Sequence, residues 1–283
     1  MELPLTKLRA CESRRTLIAI DLGECSEKII SYHLLLTKEI LSEYTIFHCL
    51  DGTITENQAH ERIGRILQQT RAYLNETVGS TFKIHVAKGN LVEELKALHA
   101  RENFGTIIIG TNNKPGEGKM GRNAQAILTN LQVSVIAVPP SIALSFPANV
   151  CILVEKIQKS SFDFMTIIYD FVSHYDIFMN FVLFAKDKQE LEDEKRLIEE
   201  YQDFFDSTIT FNFLVEQEQT YLNFLDYVGK IHCDGAMIVW NEGTTAERSV
   251  KETGFVHCST KLPILYIKQS MASHRQIAFV GEE

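Results

Sequence analysis

The sequence contains no apolar run approaching the ~18–20 residues that a membrane helix needs, so no membrane insertion is expected. It also lacks any Cys-x-x-Cys pair. The six cysteines, Cys11, Cys25, Cys49, Cys151, Cys233 and Cys258, are scattered, and several sit inside apolar, strand-like runs. Such a set argues against a disulfide framework and for a reducing compartment, where cysteine serves as a small hydrophobe. Met1 to Arg15 carries basic residues but no apolar block behind them, and reads as neither signal peptide nor anchor. A cytoplasmic location is the expectation.

Positive charge is scarce in the second half. Residues 1–147 hold 16 Lys and Arg against 15 Asp and Glu, whereas residues 148–283 hold 12 against 22. An acidic half makes a poor host for nucleic acid, whose phosphates require Lys and Arg. A phosphate-bearing small ligand is better placed in the near-neutral first half. The 283 residues suffice for two ordinary domains, and 45% apolar with 23% charged residues is a globular composition.

Short apolar runs alternate with longer amphipathic stretches. In the first half the strand-like runs are Thr16–Asp21, Thr45–Leu50, Phe82–Ala87, Thr106–Gly110 and Val133–Val138. Helical stretches lie between them, at about 24–41 and 60–75, after Asn90, and at 122–131. Asn90 is placed to cap its helix, with Glu93 three residues on. The run TIIIG at 106–110 is apolar on both faces, as a strand between helix layers should be. Strands separated by helices mean βαβ units, hence a parallel sheet with right-handed crossovers.

Pro139, Pro140 and Pro147 then interrupt the pattern, which begins again with runs at 151–155, 177–184, 208–213, 236–240 and 264–268. Corresponding strand positions are offset by nearly constant intervals: 134 from Thr16 to Val150, 130 from Thr106 to Ala236, and 129 from Ser134 to Pro263. A period of that size is a duplicated domain rather than a solenoid unit. The expected organisation is a first domain over 1–140, a linker over 141–149, and a second domain over 150–283.

The first half resembles the universal stress protein family from Thr16 to Pro140. The resemblance is carried by the opening strand ending in Asp21 and by VAKGNLVEELKALHARENFGTIIIG, Val86 to Gly110. It continues through the glycine loop GTNNKPGEGKMGRNAQAIL, Gly110 to Leu128, and the closing strand VSVIAVP. It implies an α/β fold of the adenine nucleotide alpha hydrolase type: two tandem, doubly wound, five-stranded parallel sheets in 3-2-1-4-5 order, related by a pseudo-two-fold axis. It further implies an internal pseudo-dimer meeting at the fifth strands, and leaves a homodimer open.

Many family members bind ATP through a Gly-x2-Gly-x9-Gly-Ser/Thr loop. Gly110 fits that pattern, but Asn113 stands for the second glycine, only seven residues separate it from Gly121, and Arg122 replaces the hydroxyl residue. Arg122 is able to pair with phosphate bidentately, and Lys114 or Lys119 to add charge. The candidate nucleotide-binding set is Asp21, Gly110, Asn113, Gly121, Arg122 and Asn123, for ATP or a related adenine nucleotide. In a doubly wound sheet the ligand crevice lies at the carboxyl ends of the strands, where strand order reverses, and glycines admit phosphate to backbone amides.

Other readings of the loop fail. Gly116, Gly118 and Gly121 spell G-x-G-x-x-G, but not directly after a strand and with no acidic residue about 20 positions on. Gly118-Lys119 lacks the P-loop's first glycine and its Ser/Thr. The second half resembles the family more faintly: its first strand ends in Glu155, and Trp240 stands where the loop glycine belongs. No nucleotide is expected there.

His232-Cys233 and His257-Cys258 do not match zinc spacings and read as helix-end and core residues. The cluster Glu190, Glu192, Asp193 and Glu194, interleaved with Lys188, Lys195 and Arg196, reads as a solvated helix face. Three functional classes remain: a nucleotide-responsive stress module, an interaction or regulatory protein that kept the fold and lost the ligand, and a weak ATPase. For the last, neither a general base nor a metal ligand can be named, and catalytic residues are not assigned.

Overall fold

The structure is a computed structural model of the whole chain, described here for residues 14–23, 25–37, 42–74, 81–111, 121–154, 177–185, 187–199, 209–215, 220–240 and 262–268. The chain divides into two compact units, Met1–Gly110 and Thr111–Glu283.

In the first unit the elements are β1 (Arg14–Ala19), α1 (Ser26–Leu36), β2 (Ser42–Leu50), α2 (Glu56–Leu74), β3 (Thr81–Lys88), α3 (Leu91–Glu102) and β4 (Thr106–Gly110). The strands are all parallel. β1 lies between β2 and β4, with Thr16 opposite both Tyr44 and Thr106, and β3 flanks β2. The chain therefore runs outward from β1 to β3, then crosses back to β4. Right-handed crossovers in the two directions put helices on opposite faces of the sheet, which is the doubly wound arrangement.

Burial follows the patterns that the sequence dictates. Leu17, Ile18, Ile46, Phe47, Ile107 and Ile108 are each fully buried, and each such side chain contributes roughly 1.5–3 kcal/mol relative to exposure. On α2 the buried residues Ala59, Ile63, Leu67 and Thr70 recur at helical spacing. Its polar side carries the exposed pair Glu61–Arg65. α3 begins as its cap residue requires: the Asn90 side chain accepts the amides of Val92 at 3.0 Å and Glu93 at 3.3 Å. The Glu93 carboxylate itself faces Lys96 at 3.5 Å. The helix ends on Asn103 in the left-handed region, φ 52°, which asparagine tolerates.

The second unit holds α4 (Arg122–Asn130), β5 (Ser134–Val138), β6 (Asn149–Val154), β7 (Phe178–Ala185), α5 (Lys188–Glu199), β8 (Ile209–Val215), α6 (Thr220–Lys230), β9 (Gly235–Trp240) and β10 (Ile264–Lys268). Strands β8, β7, β6, β9 and β10 lie side by side in that order, all parallel. This is the 3-2-1-4-5 order, reversing between β6 and β9. β5 joins β10 antiparallel, with Ile264 opposite Ala137 and Tyr266 opposite Val135. Thr16 opposes Thr106 in the first unit, and Val150 opposes Gly235 in the second.

Residues 141–149 lie within the second unit. The Ile142 amide donates to the Pro139 carbonyl at 3.1 Å, and Ile142 is buried. The amides of Ala148 and Asn149 both donate to the Asp234 carboxylate at 3.0 Å. On α5, Glu192 and Asp193 are exposed as expected, but Glu194 is 7% exposed. Its helix position, three residues after Leu191, turns it away from the solvated face. Among the described residues, no helix is long and apolar enough to cross a membrane.

Candidate functional site

Asp21 follows the carboxyl end of β1, one of the two strands at the reversal of strand order in the first unit. Its Oδ1 accepts the Gly23 amide at 2.9 Å and the Ser26 hydroxyl at 3.3 Å. These bonds fold the chain into a tight turn that feeds α1, with the Ser26 amide donating to the Gly23 carbonyl at 3.1 Å. Leu22, inside that turn, has φ 62°. A leucine in the left-handed region costs roughly 1–2 kcal/mol, and the Asp21 bonds offset it. Asp21 is thus a capping residue of its own turn, and an exposed one.

A second feature lies beside that turn. His48, at the end of β2, is buried and its Nδ1 lies 3.0 Å from the Ile20 carbonyl. This bond ties the ends of β1 and β2 together immediately before Asp21. Sequence reading did not single out His48, because an isolated histidine in an apolar strand gives no signal of a cross-strand backbone partner.

Gly110 ends β4 in the first unit. Asn113, like Lys114, Gly116, Gly118 and Lys119, lies outside the described residues. Gly121, Arg122 and Asn123 belong to the second unit, where they open α4. The structure describes Asp21 and Gly110 in one unit and these three in the other.

The start of α4 has its own geometry. The Thr111 amide donates to the Val138 carbonyl at 3.0 Å, and the Thr111 carbonyl accepts the Gly121 amide at 3.4 Å. Thr111 is fully buried, and these bonds hold it and Gly121 together beside β5. Gly121 is the N-cap of α4, with φ −57° and no side-chain cap bond. A Cβ built on it would meet the Thr111 carbonyl oxygen at 3.7 Å, an ordinary contact. Among the described residues, nothing stands closer that would require glycine at 121.

The first turn of α4 contains no acidic residue, whereas α1 carries Glu27 and α3 carries Glu93 and Glu94 there. Instead it begins with Arg122, exposed together with Asn123. A cation in the first turn opposes the helix macrodipole, so the arrangement brings no benefit to helix stability.

Among the described residues no group of three or more His, Cys, Asp or Glu is placed to hold a metal ion. His232, at the end of α6, is exposed with φ 53°, and Cys233 is buried. His257 and Cys258, Glu155, and the side chain of Trp240 lie outside the described residues.

No protein-family profile matches the sequence, and no curated protein does. Solved structures match it along most of its length. A universal stress protein from Archaeoglobus fulgidus DSM 4304 superposes with a TM-score of 0.63 at 17% identity, covering 91% of this chain and 99% of that one. A functionally unknown protein from Pseudomonas aeruginosa PAO1 gives a TM-score of 0.63 at 13% identity, covering 95% and 97%. The cytoplasmic domain of a prokaryotic cation chloride cotransporter gives 0.55 at 11% identity, covering 90% and 95%. The resemblance read from Val86–Gly110 and the glycine loop thus holds at the level of the fold, and the chain folds as a universal stress protein does.

Proposed function

We propose that the chain is a stress-response module of the universal stress protein type that takes one adenine nucleotide, ATP or a relative, in its first repeat. The observation that carries this reading is the start of α4. Among the described residues nothing gives Gly121 a steric reason to be glycine, Gly121 itself brings no side-chain cap, and Arg122 stands where an acid would suit the helix better. Each of these is a cost or an indifference to the fold, and each favours a phosphate. The first-turn amides and the helix dipole attract an anion, glycine lets it approach closely, and Arg122 pairs with it. Asn123 adds an amide from the same turn. The family resemblance adds Gly110 and Asn113 from the loop and assigns Asp21 to the base or ribose.

In this reading the repeats divide at residues 141–149, and the antiparallel pairing of β5 with β10 is the seam of an internal pseudo-dimer. The second repeat stays empty, in keeping with its acidity. Binding stabilises one conformation; turnover is not part of the proposal.

A second reading, an interaction or regulatory module without ligand, is favoured by Asp21, whose carboxylate already serves its own turn. The fold also occurs as the cytoplasmic domain of a cotransporter. Gly121→Ala separates the two. The nucleotide reading expects the melting midpoint of the free protein to be unchanged and the retention of radiolabelled ATP in equilibrium dialysis to fall. No retention by either protein favours the second reading; equal retention by both would show that ATP binds without using the start of α4.

A further inference from the structure

Outside the nucleotide-site candidates, the second unit brings two thiols together at the amino ends of adjacent parallel strands. Cys151 lies near the start of β6 and Cys233 just before β9, and their sulfurs are 2.6 Å apart. Both are buried, 0% and 4% exposed. The surrounding chain holds them in place. Asp234, the neighbour of Cys233, accepts the amides of Ala148 and Asn149 at 3.0 Å, and its own amide donates to the Asn149 carbonyl at 2.8 Å. The turn carrying Cys233 is thereby pinned to the strand start carrying Cys151. A disulfide bond measures ~2.03–2.05 Å, so the sulfurs need to close by only about half an ångström.

We propose that Cys151 and Cys233 form a reversible dithiol–disulfide pair, a modification site that fastens β6 to the turn before β9. The oxidant is a small-molecule disulfide. Cys233 loses its proton and attacks one sulfur of that molecule, releasing one thiolate and leaving a mixed disulfide on Cys233. Cys151 then loses its proton and attacks the Cys233 sulfur, forming the internal bond and expelling the second thiolate. The protein gives up two protons and two electrons, and the oxidant becomes two thiols.

The order follows from position. Cys233 is the less buried thiol and follows His232, an exposed residue held in the left-handed region at φ 53°, in a turn at a helix end. Cys151 is the resolving thiol: its bond with Cys233, and then burial, push its pKa well above the ordinary thiol range. Oxidation is accordingly gated by opening of the α6–β9 turn. The bridge spans a sequence separation of 82 residues, and a cross-link over so long a loop restricts mainly the unfolded chain.

The test is to incubate the reduced full-length protein with oxidised glutathione, alkylate remaining thiols in denaturant, digest, and map the peptides by mass spectrometry. The expected result is a peptide joining Cys151 to Cys233, lost on adding dithiothreitol, and a melting midpoint raised by about 5–10 °C. Cys151→Ser and Cys233→Ser should each abolish that rise. The peptide map of the unsubstituted protein decides even where a variant folds poorly. Both thiols recovered alkylated, bridges formed only by other cysteines, or a bridge that lowers the midpoint would each overturn the proposal.

Discussion

The Asp21 carboxylate accepts the Gly23 amide through Oδ1 at 2.9 Å, and a Cβ on Gly23 would stand 3.0 Å from that same oxygen. Side chain and glycine are fitted to one another, and neither can change without moving the other. Gly23→Ala should therefore displace the carboxylate and destabilise the turn into α1 by about 1 kcal/mol. Asp21→Asn keeps an oxygen acceptor for Gly23 and Ser26 and should cost less than Asp21→Ala. Urea titrations of the three variants check the order; equal losses for Asn and Ala would show that the turn bonds contribute nothing.

His33 sits on α1 with both ring nitrogens buried and without a hydrogen-bond partner among the described residues, edge-on to Tyr44 at a centroid distance of 5.2 Å. Burial pulls its pKa from the ordinary 6.5 down to about 3. Between those values the unfolded chain binds a proton that the folded chain refuses, so stability falls as pH drops below about 6.5. His33→Phe preserves the edge-on ring and removes the titration. The variant should be at least as stable at pH 7 and lose less of its melting midpoint between pH 7 and pH 5. An identical loss in both proteins would contradict this assignment.

Asn90 satisfies two amides at the start of α3. Asn90→Ala should cost about 1 kcal/mol in denaturant unfolding, and Asn90→Ser should recover most of it. Loss of the same size in both would place the effect elsewhere in the turn.

In the second unit, Asp234 joins the turn before β9 to the start of β6 through two amides, across 86 and 85 residues of sequence. Asp234→Ala leaves those amides to water or unpaired and should destabilise the unit by about 1–3 kcal/mol. Hydrogen exchange at Ala148 and Asn149 should rise with it. Unchanged exchange would show that the bonds do not protect them.

Much of the fold is legible in the sequence for local reasons. The runs TIIIG and VSVIAV are apolar on both faces, and β4 and β5 occur there, buried as such strands must be. Asn90 marks the start of α3 by its own side-chain chemistry. What the sequence hides is long-range or crowded. Nothing around Asp234 signals partners some 85 residues earlier, and nothing around Cys151 signals Cys233. Glu194 is masked by the charged residues around it, because composition reports a segment and not the face of a helix. The α4 end of the candidate site, Gly121 and Arg122, is legible as a glycine and a cation ahead of an apolar helical pattern. The left-handed Leu22 beside Asp21 is not, since leucine gives no sequence signal of positive φ.

Calorimetric titration of the full chain with ATP tests the central claim most directly. The account predicts one site per chain, weakened by Arg122→Ala by roughly 1–3 kcal/mol, the range of a charge-assisted hydrogen bond, and weakened further when Asp21 is also replaced by Ala. Two sites per chain, one site that survives both substitutions, or no heat at millimolar ATP would contradict it.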